Sequence, residues 1–169
     1  NILTPGNGEM TVLAAKPQDI ILGLYWLTKA VEKMKGEGEH FASPNAAILA
    51  SEYGAIDIRA AIKVLPVEGK EKYAMFDGHP FETTVGQLLF NTVLPADYPF
   101  VRDTITKKAL ARIMTDCATR YGFDAVPDIV NKVKRFGFQY ATRSGVSWCI
   151  DDVSVSKDKP EIITRAAEK

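Results

Sequence analysis

A chain of 169 residues in which 46% of the side chains are apolar can bury one core or two small ones. Lys plus Arg and Asp plus Glu both number 21, so no global charge announces a nucleic-acid or membrane partner. Two cysteines without close spacing exclude a disulfide framework and fit a reducing compartment; no apolar run approaches the roughly 20 residues of a membrane span, and nothing resembles a signal peptide.

In chain order, Ile20, Ile21, Leu24, Tyr25, Thr28 and Val31 recur at steps of three and four after Pro17, which predicts an amphipathic helix ending in the Gly36 to Gly38 turn. Ser43 before Pro44 opens a second helix through Ala50 or Tyr53, because Ser caps orphan amides and Pro fits the first turn. Ile56, Ile58, Ala60, Ile62 and Val64 then alternate as a strand does. Tyr73 to Phe76 and Phe81 to Val85 are weaker strand candidates around the Asp77-Gly78 turn, and the three together predict a small antiparallel sheet. Gln87 to Leu94 reads as a short helix stopped by Pro95.

Thr106 caps a helix whose stripe of Leu110, Ile113, Met114, Cys117 and Tyr121 closes at Gly122. Val126, Val130, Val133, Gly137, Tyr140 and Ala141 mark one face of a long helix with Pro127 in its first turn. Gly137 on that apolar face costs about 1 kcal/mol relative to Ala, which signals close approach of another backbone. Gly145 ends the helix, and Val146, Trp148 and Ile150 then alternate with Ser147, Cys149 and Asp151 as an extended segment with one buried side. A polar helix follows Pro160. The fold class expected is α+β, predominantly helical: a mixed helix and sheet region over residues 1–98, then a helical region over 99–169.

Charge is uneven beneath the neutral total. Lys107 to Arg143 carries eight basic residues against three acidic, a path for anionic nucleotides or, more blandly, a solvated helix face. Lys107 and Lys108 at a helix start oppose the helix dipole, which favours contact with an acidic partner or another subunit. His40 and His79 lack ligand spacing with Cys, Cys149 reads as buried rather than nucleophilic, and Trp148 and Tyr140 read as core residues.

The run GFQYATRSGVSWCIDD, Gly137 to Asp152, resembles the GFxYAxRSGxSxxIDD segment of the beta-prime subunit of bacterial RNA polymerase. NILTPGNGE at Asn1 to Glu9, QDIILGLYWLT at Gln18 to Thr28, the KGEG motif from Lys35, and TTVGQLLFNTVLP at Thr83 to Pro95 resemble that family's blocks in the same order. Gln87 departs from the pattern, standing where the family commonly has Arg. So do Trp148 and Cys149, which replace a small pair.

The resemblance implies a segment of a DNA-directed RNA polymerase, a nucleotidyltransferase of transcription, that forms the pore and the start of the funnel around the secondary channel. It implies that nucleoside triphosphates enter there and that the RNA 3′ end is extruded there during backtracking. The catalytic aspartate loop with its magnesium ions is expected upstream of Asn1, so the chain itself is expected to be catalytically inactive and to hold no metal. Adjacent Asp151 and Asp152 cannot readily chelate one ion; capping or ion pairing near Arg143 is their expected use. The implied partners are the beta, alpha, omega and sigma subunits, nucleotides, the RNA 3′ end, DNA through the holoenzyme and secondary-channel factors, with no membrane and a cytoplasmic location.

Channel-lining candidates follow from the resemblance. Gln18 is a polar position beside the incoming nucleotide, or a helix-start side chain capping its own backbone. Asn1 and Asn7 lie in the preceding loop, with turn formation as the alternative. Arg143 either faces the channel or only complements its helix dipole, with Ser144 and Ser147 as hydrogen-bonding neighbours. A free-standing binding or regulatory module derived from the polymerase is the other reading of the whole chain.

Overall fold

In a computed structural model of the chain, the structure describes residues 3–6, 9–12, 18–122, 124–147, 149, 152 and 158–167. An antiparallel pair, β1 (Leu3–Gly6) and β2 (Glu9–Val12), precedes helix α1 (Gln18–Thr28). Strand β3 (His40–Phe41), helix α2 (Pro44–Glu52), strand β4 (Ile62–Val64), a 3-10 helix over Glu71–Phe76 and strand β5 (Phe81–Thr83) follow. Helices α3 (Val85–Val93), α4 (Lys107–Tyr121), α5 (Val126–Ser144) and α6 (Lys159–Ala167) complete a helix-dominated α+β fold.

Local chemistry sets the helix ends. The Ser43 hydroxyl accepts from the Ala46 amide at 3.2 Å and Pro44 occupies the first turn of α2. Thr84 and Gln87 form a capping box at α3, each side chain accepting from the other's backbone amide. Thr106 caps α4, and Gly145, at φ 59, closes α5 in the left-handed region.

Two cores result. Ile20, Leu24, Phe90, Leu110, Met114 and Val133 anchor a helical one; Ala47, Ile62, Val64, Phe81, Leu88 and Phe100 anchor one around the sheet. Helix α3 serves both, with Phe90 on one and Val85 and Leu88 on the other. The cores therefore do not divide at residue 98, because Ile20, Leu24 and Phe90 sit with the helices while Phe100 sits with the sheet. In the sheet core, Phe76 stacks on Phe81 at 3.9 Å between centroids, and Phe100 meets Phe81 edge-on at 5.2 Å.

Helices α1 and α5 cross with glycine against glycine. A Cβ on Gly137 would lie 2.6 Å from Ile20 Cγ2 and 2.9 Å from the Ile20 carbonyl oxygen. One on Gly23 would collide with the Gly137 carbonyl oxygen and lie 2.5 Å from the Ala141 nitrogen. The close approach expected at Gly137 is thus met by a second glycine on the partner helix.

Four expectations are corrected. The sheet is mixed, β3 running parallel and β5 antiparallel to the central β4, because the chain crosses through α2 between β3 and β4. The strand expected from Ile56 shrinks to Ile62–Val64: the Asp57 carboxylate accepts from the Arg59 amide at 2.8 Å, and the Ala60 amide donates to the Asp57 carbonyl at 3.1 Å, so a turn occupies the first half. Ile56 and Ala60 are buried within that turn, which is why the alternation resembled a strand. Tyr73 to Phe76 is 3-10 helix, with Asp77 at φ 47 stopping it. After Gly145 the chain turns outward, leaving Val146 51% exposed and Cys149 exposed where burial was expected. Trp148, Ile150 and Asp151 lie outside the described residues.

Candidate functional site

Of the channel-lining candidates, Asn1 and Asn7 lie outside the described residues. Gln18 begins α1 and is exposed, on the side opposite the buried Ile20, Leu24 and Leu27. Its side chain makes no hydrogen bond among the described residues. The amide is free to bind an external group, and the position is stiff because α1 is held through Gly23 and Ile20 against α5.

The other candidates gather at the far end of α5. The Arg143 guanidinium lies over the Tyr140 ring at 5.6 Å while remaining exposed, and Tyr140 itself is buried as expected. Ser144 is committed to structure: its hydroxyl donates to the Ala141 carbonyl at 2.7 Å and accepts from the Val146 amide at 3.2 Å. Ser147 is exposed. Beyond it the Asp152 carboxylate accepts from the Cys149 amide at 2.8 Å, which holds its pKa below the usual carboxylate value and makes it a local cap, one of the uses expected for the paired acids. Arg143, Ser144 and Ser147 are close in sequence at the end of α5, and among the described residues no hydrogen bond or ion pair joins them to Gln18.

A buried polar network locks the N-terminal helix to the rest. Gln87 Nε2 donates to the Thr28 carbonyl at 3.2 Å, and Gln87 Oε1 accepts from the Thr83 hydroxyl at 2.9 Å. The Thr28 hydroxyl donates to the Leu24 carbonyl at 2.7 Å and accepts from the Ile105 amide at 2.8 Å. Asn91 Nδ2 donates to the Gln87 and Val101 carbonyls, both at 2.8 Å, and its Oδ1 accepts from the Val101 amide. Gln87, a lost cation by comparison with the family pattern, is a buried connector in the fold. The available signal was the Thr84-x-x-Gln87 spacing of a capping box.

Lys72 was also missed. Its ammonium is buried and donates to the Asn91 and Leu94 carbonyls at the end of α3. Burial pulls its pKa below the usual lysine value against the opposing pull of Asp97, with Lys70 adding to the depression. It borders an open groove of about 1090 Å³ between the 3-10 helix and the α4–α5 connection, also lined by Asp97, Tyr121 and Lys132. Burial and the adjacent Asp97 carboxylate push the Tyr121 phenol up to about 12. Of the described channel-lining candidates, Gln18, Arg143, Ser144 and Ser147, none borders this groove. Among the described residues no cluster of His, Cys, Asp or Glu could hold a metal ion, and no helix is long and apolar enough to cross a membrane.

Residues 1–153 match the family model described as RNA polymerase Rpb1, domain 3. The chain is similar to the DNA-directed RNA polymerase subunit beta' of Sulfurihydrogenibium sp., 36% identical over 169 residues that cover all of this chain and 10% of the relative. The beta' subunit of Saccharopolyspora erythraea is 41% identical over 96% of this chain and 13% of its own length. That of Pelotomaculum thermopropionicum is 35% identical over all of this chain and 14% of its own length. The chain thus spans between a tenth and a seventh of the length of these relatives.

Proposed function

We propose that this chain, which belongs to the RNA polymerase Rpb1, domain 3 family, works as a non-catalytic segment of a beta-prime subunit and lines the channel by which nucleoside triphosphates reach the polymerase active site. The observation that carries this is the match of the whole chain to one segment of much longer beta' relatives. In this reading residues 1–98 build the pore and residues 99–169 lead into the funnel, joined by two cores that each draw on residues from both sides of residue 98.

Gln18 is the contact we assign to the nucleotide or to the RNA 3′ end, because its exposed amide is uncommitted and its helix is clamped. Arg143 and Ser147 form a second polar point on the wall, with Ser144 shaping the turn between them. Asn1 and Asn7 belong to the same channel in this reading. In this reading magnesium is held elsewhere in the complete enzyme, and Asp152, the described member of the paired acids, is engaged by the Cys149 amide. The partners are the beta, alpha, omega and sigma subunits, DNA through the holoenzyme, and factors entering the secondary channel, in the cytoplasm.

The test is Gln18→Ala in the assembled polymerase. Loss of one hydrogen bond raises the nucleotide KM or alters escape from backtracking by roughly three- to tenfold, with subunit assembly unchanged because the side chain is exposed and outside the buried face of α1. Unaltered elongation kinetics would remove Gln18 from the channel.

A further inference from the structure

A second cleft, of about 420 Å³, runs along the outer face of α4 and combines apolar walls with guanidinium groups. Ile113 and Phe100 are buried beneath it, and Met75 stands at its edge with 59% of its surface exposed. Arg120 is neutralised by Asp116, its Nε lying 2.8 Å from the carboxylate. Among the described residues, Arg102 lies over the Phe76 ring at 5.9 Å without an ion pair, and Arg112 has neither an ion pair nor a hydrogen bond. Asp103 is the one lining carboxylate left to set against these two cations.

The charge extends past the cleft. Lys108 stands one helical turn before Arg112, and Lys107 precedes it, both exposed in the first turn of α4. The helix end already presents partial positive charge there, to which the two lysines add, and among the described residues no ion pair engages either of them. An exposed Met, unpaired arginines and aromatic walls are the residue types enriched where proteins meet.

We propose that this cleft is a docking site for an acidic segment of a partner protein. One apolar side chain of that segment sits between Met75 and Ile113, and its carboxylates meet Arg102, Arg112 and Lys108. A nucleic-acid backbone would satisfy the cations and leave the apolar floor and Met75 uncovered, so the geometry favours a polypeptide. The assignment goes beyond the channel reading and holds whether or not Gln18 lines a channel.

Fluorescence anisotropy on the full chain tests it with four fluorescein-labelled probes. These are a glutamate-rich peptide of about 12 residues with a central Leu-Phe pair, its Gln-for-Glu counterpart, its Ser-for-Leu-Phe counterpart, and an oligothymidylate of similar length. The first peptide is expected to bind about tenfold or more tighter than the other three, with affinity falling as salt rises. The pair Arg102→Glu and Arg112→Glu is expected to weaken it about tenfold or more, and Lys63→Glu on β4 to leave it unchanged. Equal binding of the neutral peptide, tighter binding of the oligothymidylate, insensitivity to the charge reversal, or no binding of the acidic peptide would overturn the proposal. Thermal melting shows whether the reversed variant folds; should it not, the Glu and Gln peptides on the unsubstituted chain decide.

Discussion

Gly23→Ala is a change that helix propensity alone predicts to stabilise the chain, by about 1 kcal/mol. The crossing with α5 reverses that sign. The new Cβ would overlap the Gly137 carbonyl oxygen and lie 2.5 Å from the Ala141 nitrogen, and both are backbone atoms that no rotamer change can remove. Restoring ordinary contact requires α1 and α5 to part by about 1 Å, which forfeits a quarter to a half of the dispersion energy of each pair facing across the gap. Ile20 and Leu24 on one side and Val130, Val133 and Tyr140 on the other are buried at this level. Overpacking costs about 1–3 kcal/mol, and obstacles that are backbone atoms place this case at the upper end, so after the propensity gain of about 1 kcal/mol a net loss of about 2 kcal/mol is expected. Urea unfolding of the full chain measures it through the midpoint at constant m-value. Gly137→Ala should cost less, because its nearest obstacle is the Ile20 side-chain methyl at 2.6 Å, and the double variant should fall short of the sum, since one separation relieves both clashes. A Gly23→Ala chain as stable as the parent would refute the argument that backbone contact holds this crossing.

Two further outcomes rest on buried groups. Gln87→Ala leaves the Thr28 carbonyl and the Thr84 amide without their side-chain partner and should cost about 2–3 kcal/mol in urea unfolding, against near zero for the exposed Thr92→Ala; a Gln87→Ala loss no larger than that control would show that the connector is dispensable. Of the two cysteines, Cys149 is exposed, while burial pushes the Cys117 thiol from 9.0 up to about 11, so a thiol reagent at pH 8 should modify one cysteine in the native chain and two in denaturant. Because the folded-state pKa of Cys117 is raised, its contribution to stability is fully present below about pH 9 and lost as pH rises through about 11. The raised pKa values of Tyr73, Tyr98 and Tyr121 act in the same direction and the lowered one of Lys72 acts against them. Cys117→Ala should therefore flatten part of the alkaline decline, and an unchanged slope would assign that decline to other groups.

Helices were readable in the sequence because their signals are local. Ser43, Thr106 and Gly145 stand where caps are required, and the stripes of α4 and α5 match buried residues apart from Tyr121 and Ala141, which are half-buried. Strands were less readable, since alternation reports burial rather than backbone: Ile56, Ala60, Ile62 and Val64 are all buried, yet Asp57 diverts the first two into a turn. The parallel pairing of β3 with β4 depends on a two-residue strand too short to leave a pattern. At the candidate site, the positions of Gln18 and Arg143 at helix ends followed from periodicity. The role of Gln87 did not, because its partner Thr28 lies 59 residues away and no local rule joins them. The α4 cleft was visible only as two misplaced lysines; Phe100 in its floor and Met75 at its edge come from segments distant in sequence from the helix face they line.

The crossing of α1 and α5 also constrains how the chain is made. Helix α1 is complete at Thr28, but the helix that covers Ile20 and Gly23 begins only at Val126, about a hundred residues later. At about 5–20 residues per second, translation leaves that apolar stripe without its partner for roughly 5–20 s. An eleven-residue helix is marginal in water by itself. The stripe of Ile20 and Gly23 is thus open to non-native contacts until α5 emerges, and slow synthesis between Thr28 and Val126 lengthens its exposure.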